Sequence, residues 1–346
     1  MKKLLLLVCL MLAMAVPASA QDYTVPRPPG DAAGLLPEDR DTFSEGLWYV
    51  IRSAFVMAQP QLVQSGKVCL SLIGITMLIG MMRSWEGAGK DAVSLAGVIA
   101  VSCVLLQPAG AQIAMAADTI EQLSDYGKML LPVMTAALAA QGGTVTSAAL
   151  YTATIAFDAL LSMLIQAVLV PMVYIYLLLC VIYAAVGDAM MKRLRGFMKS
   201  LMTWSLKVVL YAFTAYISIT GVVSGTADQS AVKAAKLTIS GMVPVVGSIL
   251  SDASEAVLVS AGVVKNAAGV AGMLAVIAIA VTPFLQIGLQ YLCLKLSAAV
   301  CALFSDQNTT GVIEDFSGGL GLLLGMTGAM CLMLLISLVC FLRGVG

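Results

Sequence analysis

From residue 149 to residue 187 the chain is apolar almost without a break, with Asp158 its only charge and Pro171 inside it. As one straight α-helix this run would reach about 58 Å at 1.5 Å per residue, nearly twice the hydrocarbon core of a bilayer. It must therefore tilt strongly, break near Pro171 or fold into two pieces. Further apolar runs cover 68–82, 92–107, 201–223, 256–304 and 318–342. In lipid every backbone polar group must be satisfied within the protein, and a helix does so within one segment. The expected fold class is all-α, a polytopic helical membrane protein. Composition points the same way, with 60% of residues drawn from AVILMFWYC and only 11% charged. The 19 basic and 19 acidic residues cancel, leaving no net field to attract nucleic acid.

The same counts exclude much chemistry. There is no histidine, which removes His-activated nucleophiles, histidine general bases and the commonest transition-metal ligand. Cys9 lies in a leader, and Cys69, Cys103, Cys180, Cys293, Cys301, Cys331 and Cys340 are scattered through apolar runs without CxxC spacing. They read as small packing residues, as do the methionines. No GxxxxGK[ST] occurs. No catalytic, metal or cofactor site is expected.

The amino terminus has the three parts of a cleavable signal peptide: Lys2 and Lys3, an apolar stretch from Leu4 to Val16, and Ala18-Ser19-Ala20. Residues 1–20 are assigned to it. Residues 21–66 are read as an exported polar segment, rich in proline, followed by an amphipathic surface helix. In that helix Phe43, Leu47, Val50, Ile51, Ala54, Phe55 and Ala58 share a face, and Trp48 and Tyr49 could sit at a membrane interface. Two leading spans fill 67–117. From an exported start, 83–91 is then cytoplasmic and the polar stretch 118–128 external. The basic cluster Lys192, Arg193, Arg195 and Lys199 returns to the cytoplasm, as the positive-inside rule asks. Loop 305–315 is also placed there, yet it has Asp306, Glu314 and Asp315 and no basic residue.

Prolines suggest a parallel tandem repeat. Pro132 and Pro171 are 39 residues apart, as are Pro244 and Pro283, and the pairs superimpose at an offset of 112. Each pair follows a polar helix and marks a short apolar piece, a long proline-broken run, a polar loop and a final span. The units are 118–226 and 227–346, and the short pieces at 129–140 and after Gly241 are expected to be re-entrant hairpins.

Ionisable groups at membrane depth are costly unless paired, hydrated or able to reach the interface. Lys207 and Lys295 lie about two helical turns from expected cytoplasmic ends and can snorkel or pair, with a pore role as the alternative. Asp158 could pair with Lys207 or line a wet cavity. Lys265 and Asn266, followed by Gly269 and Gly272, suggest a break facing water or another helix. Pro244, Gly247, Asp252, Glu255, Lys265, Asn266 and Asp158 form the candidate functional set, because irregular or charged segments at depth need protein or water around them. Gly318, Gly319, Gly321, Gly325 and Gly328 read as close-packing ridges.

The stretch Lys233-Ala234-Ala235-Lys236-Leu237-Thr238-Ile239-Ser240, then Val243-Pro244-Val245-Val246-Gly247, Leu250-Ser251-Asp252-Ala253-Ser254-Glu255 and Val264-Lys265-Asn266-Ala267-Ala268-Gly269, resembles the signature region of the stage III sporulation protein AE family. Leu131-Pro132 and Gln141-Gly142-Gly143 match that family as well, and the resemblance runs from about residue 60 onward. It implies a subunit of the channel or secretion-like complex linking mother cell and forespore in endospore-forming bacteria. The implied partners are other membrane proteins of one stage III operon, including a secretion-type ATPase and ring-forming subunits, and a forespore-made protein. The implied location is the mother-cell membrane around the forespore. The family supplies no catalytic residues to carry over. A secondary transporter for a small solute, which would also contain repeats and broken helices, is the rival reading.

Overall fold

The computed structural model describes residues 26–36, 43–84, 90–141, 144–242 and 247–343; for 218–265 and a few helix-end residues it describes the backbone alone. Beyond a short 3-10 turn at Gly30–Leu35, the described chain is a bundle of long helices: α1 Phe43–Ser84, α2 Lys90–Ala140, α3 Thr144–Leu164, α4 Val170–Val186, α5 Ala189–Met242, α6 Gly247–Cys301 and α7 Gln307–Arg343. A π-helical turn, Ile165–Leu169, joins α3 to α4. Six segments are long and apolar enough to cross a membrane, counting α3, the π turn and α4 as one. The protein is all-α and polytopic. The leader at 1–20 lies outside the described residues.

The apolar stretches of α6 and α7 are each 56% buried, against 22% for that of α1, so these two helices form the centre. The outer helices pack around them, α1 against α6 and α2 against both. Gly272 and Gly269 of α6 show why small residues lie there. A Cβ on Gly272 would come within 2.6 Å of Leu130 on α2, and one on Gly269 within 2.4 Å of Leu342 on α7. Buried polar pairs tie other helices together: Ser65 donates to Gln290 at 2.5 Å, and Thr154 to Ser337 at 3.0 Å. Phe157 meets Phe213 edge-on, centroids 5.5 Å apart, between α3 and α5.

Several helices are longer than the sequence suggests, for one physical reason. The polar stretch 118–128 is not a separate element but one face of α2. Asp118, Glu121, Asp125 and Lys128 point outward while Ile120, Leu123, Ser124 and Tyr126 are buried. A helix can change from lipid to water around it without ending. Pro132, expected to mark a re-entrant hairpin, lies inside α2, which continues to Ala140. The amphipathic segment after residue 43 is likewise the first half of α1, running through Pro60. Its expected face holds in part, with Val50, Ala54 and Ala58 fully buried and Trp48 and Tyr49 exposed, but Phe55, expected on that face, is exposed too. The boundaries 66/67, 117/118 and 226/227 thus fall inside α1, α2 and α5.

Pro171 does interrupt its run. It sits in the first turn of α4, directly after the π turn. Proline lacks an N–H and crowds the carbonyl one turn back, and widening the preceding turn accommodates both. Pro283, equated with Pro171 by the offset of 112, lies within an uninterrupted α6. Pro244 lies outside the described residues. No helix break occurs at Lys265-Asn266 either, and Gly269 and Gly272 face neighbouring helices rather than water. Of the α7 glycines, Gly319 is the tightest, its Cβ position 2.9 Å from Leu177. Gly321 and Gly325 make only ordinary contacts.

Candidate functional site

Two polar layers interrupt the apolar bundle. The first gathers one end of α1, α2, α4, α5 and α7. Asp306, just before α7, caps that helix by accepting the Thr310 N–H at its carbonyl, 3.1 Å. Its carboxylate accepts hydroxyls from Ser94 of α2 and Thr309, both at 2.5 Å, and pairs with Arg83 of α1 at 3.5 Å. Burial alone would raise this carboxyl's pKa. The Ser94 and Thr309 hydrogen bonds, with the Arg83 charge, outweigh it and hold Asp306 below the usual carboxylate value. About two turns further along α7, Asp315 pairs with Arg195 of α5, and the Arg195 guanidinium lies 4.7 Å from the centre of the Tyr183 ring of α4. Tyr176 donates to the Asp315 backbone carbonyl at 3.4 Å. Gly80 of α1 completes the closure, since a Cβ there would lie 2.2 Å from the Phe304 carbonyl oxygen.

This clasp accounts for the acidic loop. Asp306 before α7 and Asp315 within it neutralise basic residues brought by two other helical hairpins, so the end as a whole is not acidic. Between the α4–α5 and α6–α7 connections it encloses a cavity of about 610 Å³, lined by Tyr183, Lys192, Arg195, Asn308, Thr310 and Glu314 among others.

The second layer lies about 40 Å along the bundle from the α4–α5 turn, counting residues from Gly187 back to Asp158 at helical rise. Asp158 is 1% exposed. Its Oδ2 accepts the Ser124 hydroxyl at 2.7 Å, and its Oδ1 has no hydrogen-bond partner. Gly127 lies next to it, where a Cβ would come within 2.9 Å of Leu334 and 3.9 Å of Oδ1. Lys128 is close enough in charge to be felt, but it is exposed and bonds to Asp125 at 2.8 Å. Among the described residues Asp158 makes no ion pair, and Lys207 is exposed on α5, so the pairing of Asp158 with Lys207 is not formed.

Of the sequence candidates, Asp158 is thus buried in the second layer and Asn266 is exposed on α6. Pro244, the surroundings of Gly247 and the side chains of Asp252, Glu255 and Lys265 lie outside the described residues. Lys295 is exposed less than two turns before the end of α6, within snorkelling reach of the interface. The sequence reading missed Arg83, Ser94, Arg195, Asp306 and Asp315 as a unit. The signal was present: an acidic loop on a side expected to be basic invites a search for its partners.

A family model described as stage III sporulation protein AE matches residues 41–344. A relative with that name from Bacillus subtilis (strain 168) is 23% identical over 284 residues, covering 77% of this chain and 70% of that protein. No solved structure matches.

Proposed function

Because the chain belongs to the stage III sporulation protein AE family, we propose that it is a non-enzymatic membrane subunit of the channel or secretion-like complex linking mother cell and forespore. Its work there supports late forespore gene expression and spore formation. The observation that carries this reading is the filled interior of the bundle. Tyr126, Tyr176, Phe213, Phe316 and Phe341 are fully buried along it, in one continuous apolar core. A chain packed in this way supports a conduit as one wall or anchor, with the passage made jointly with other subunits. Partners would include the other membrane proteins of the operon, a secretion-type ATPase, ring-forming subunits and the forespore-made protein.

Orientation follows from the clasp. Arg83, the 192–199 basic cluster and the end of α6 share one end of the bundle, which we place in the mother-cell cytoplasm. The other end of α2 then stands outside the bilayer, since from Ser94 to Ala140 it extends about 69 Å against a core of about 30 Å. That column faces the space between the two membranes. The proposal retains the division into like-oriented units at 118–226 and 227–346, supported by the recurring order of long helix, short connection and final span. It also retains Pro244, Gly247, Asp252, Glu255, Lys265 and Asn266 as a working region, with Asp158 as the residue whose surroundings argue most for a role.

Asp158 also favours the second reading, a transporter for a small solute, because a lone buried acid beside a hydroxyl can carry a proton or bind a cation. Two experiments separate them. The purified chain in liposomes should move no solute, and from sporulating cells it should co-purify with products of its operon. Solute movement by the chain alone, without such partners, would establish the transporter. Membrane-impermeant labelling of cysteines placed at Gln122 and Arg195 tests the orientation: only the first should react in intact cells.

A further inference from the structure

The clasped end contains a built cavity that neither the family nor the channel reading uses. Its walls are the first turns of α5 and α7 and the last turn of α4. Lys192 and Glu314 line it, and among the described residues neither makes an ion pair. Arg195 lines it while pairing with Asp315. Gln307 and Asn308 present side-chain amides from the first turn of α7, whose start Asp306 caps. Thr310 is the most informative wall residue. It is 7% exposed, lines the cavity, and its hydroxyl has no hydrogen-bond partner. A buried hydroxyl without a partner costs free energy, unless a ligand completes it.

The cavity's level in the membrane narrows the ligand. Apolar spans end at Val186 and Cys301 and begin at Ala189 and Gln307, all around the opening. Val186, Met190, Leu303 and Phe304 are exposed apolar side chains at that level. This is where bilayer headgroups lie. The α5 and α7 starts are capped by Asp188 and Asp306, so the charge left for an anion is Lys192, and Lys and Arg pockets between helices on the cytoplasmic side suit phosphate headgroups. The Glu314 carboxylate would repel a bare anion, but it would accept a hydrogen bond from an ammonium or hydroxyl on the same ligand.

We propose that this cavity binds a phosphate ester that also bears a hydrogen-bond donor. The phosphate sits on Lys192, the Gln307 and Asn308 side-chain amides and the Thr310 hydroxyl, and the donor sits on Glu314. A phospholipid headgroup and a soluble phosphate ester share this chemistry. The test uses the full chain, delipidated in detergent, with binding read by native mass spectrometry. The probes are phosphatidylethanolamine, phosphatidylglycerol, glycerol 3-phosphate and diacylglycerol, which has no phosphate.

Phosphate-bearing probes should bind, and diacylglycerol should not. Thr310→Val and Lys192→Gln should each weaken binding about tenfold, the scale of one hydrogen bond to a charged group. Glu314→Gln should instead erase the preference for phosphatidylethanolamine, whose ammonium a carboxylate favours, over phosphatidylglycerol. Binding of the two phospholipids alone assigns a lipid source, and displacement of lipid by glycerol 3-phosphate assigns a soluble one. Equal binding of diacylglycerol, or variants that keep their melting midpoint and bind as the parent does, would overturn the proposal.

Discussion

Asp315 and Asp158 are both held inside this bundle, and their company is opposite. Asp315 meets a guanidinium that is itself stacked on Tyr183, and about two turns away a second carboxylate, Asp306, has three partners of its own. Asp158 is buried more completely and has one hydroxyl. Paired charges at a helix-bundle end stabilise a single arrangement of the hairpins that supply them. An acid left with a spare acceptor in an apolar layer contributes little to that arrangement.

The comparison is most easily broken at Arg195. Replacing it with alanine leaves Asp315, 18% exposed, with only the Lys199 charge to oppose its own, at a cost on the order of 2 kcal/mol. The melting midpoint in detergent should fall clearly, and the double variant Arg195→Met with Asp315→Leu should recover most of the loss. A double variant no better than the single one would show that the pair is not the source of stability. A smaller effect is expected at Asp306, because Arg83 is 34% exposed and solvent screens it, limiting the pair to about 1 kcal/mol. Its folded pKa lies below the unfolded value of about 3.9. The contribution is therefore complete above that value and fades as pH falls through the lower, folded one. Melting midpoints between pH 5 and pH 3 should show a component that Asp306→Asn removes. An identical acid profile in the variant would remove Asp306 from the clasp's energetics.

Smallest of all should be the stability effect in the second layer. Asp158→Asn keeps the acceptor for Ser124 and removes a charge that has no ion partner, so the midpoint should move by less than about 1 kcal/mol. A large loss would mean that the carboxylate is paired after all. Lys128→Ala, which breaks only the exposed bond to Asp125, should leave the midpoint where it is.

Class and crossings were readable in the sequence because lipid imposes helices on any long apolar run. The basic cluster and the face Val50, Ala54 and Ala58 were readable for similarly local reasons. Helix lengths were not. A polar stretch such as 118–128 looks like a connection when only its hydropathy is considered, and its inward face of Ile120, Leu123 and Tyr126 reveals a continuing helix. Proline misled at Pro132 and Pro283, which the bundle tolerates, and informed at Pro171, where the backbone widens before it. The clasp was hidden for a different reason. Arg83 and Asp306 are far apart in sequence, and only packing brings three hairpin ends together. For Asp158, sequence supplied the apolar run around it but not the partner, since Ser124 lies in the stretch that had been read as external.

The division of labour between the layers meets its most direct test in sporulating cells carrying Asp158→Asn, with membrane abundance and spore yield measured side by side. The account predicts normal abundance with spore formation blocked, while Arg195→Ala loses spores only as far as it loses protein. Normal spore yield from Asp158→Asn would contradict it and make the buried acid part of the scaffold.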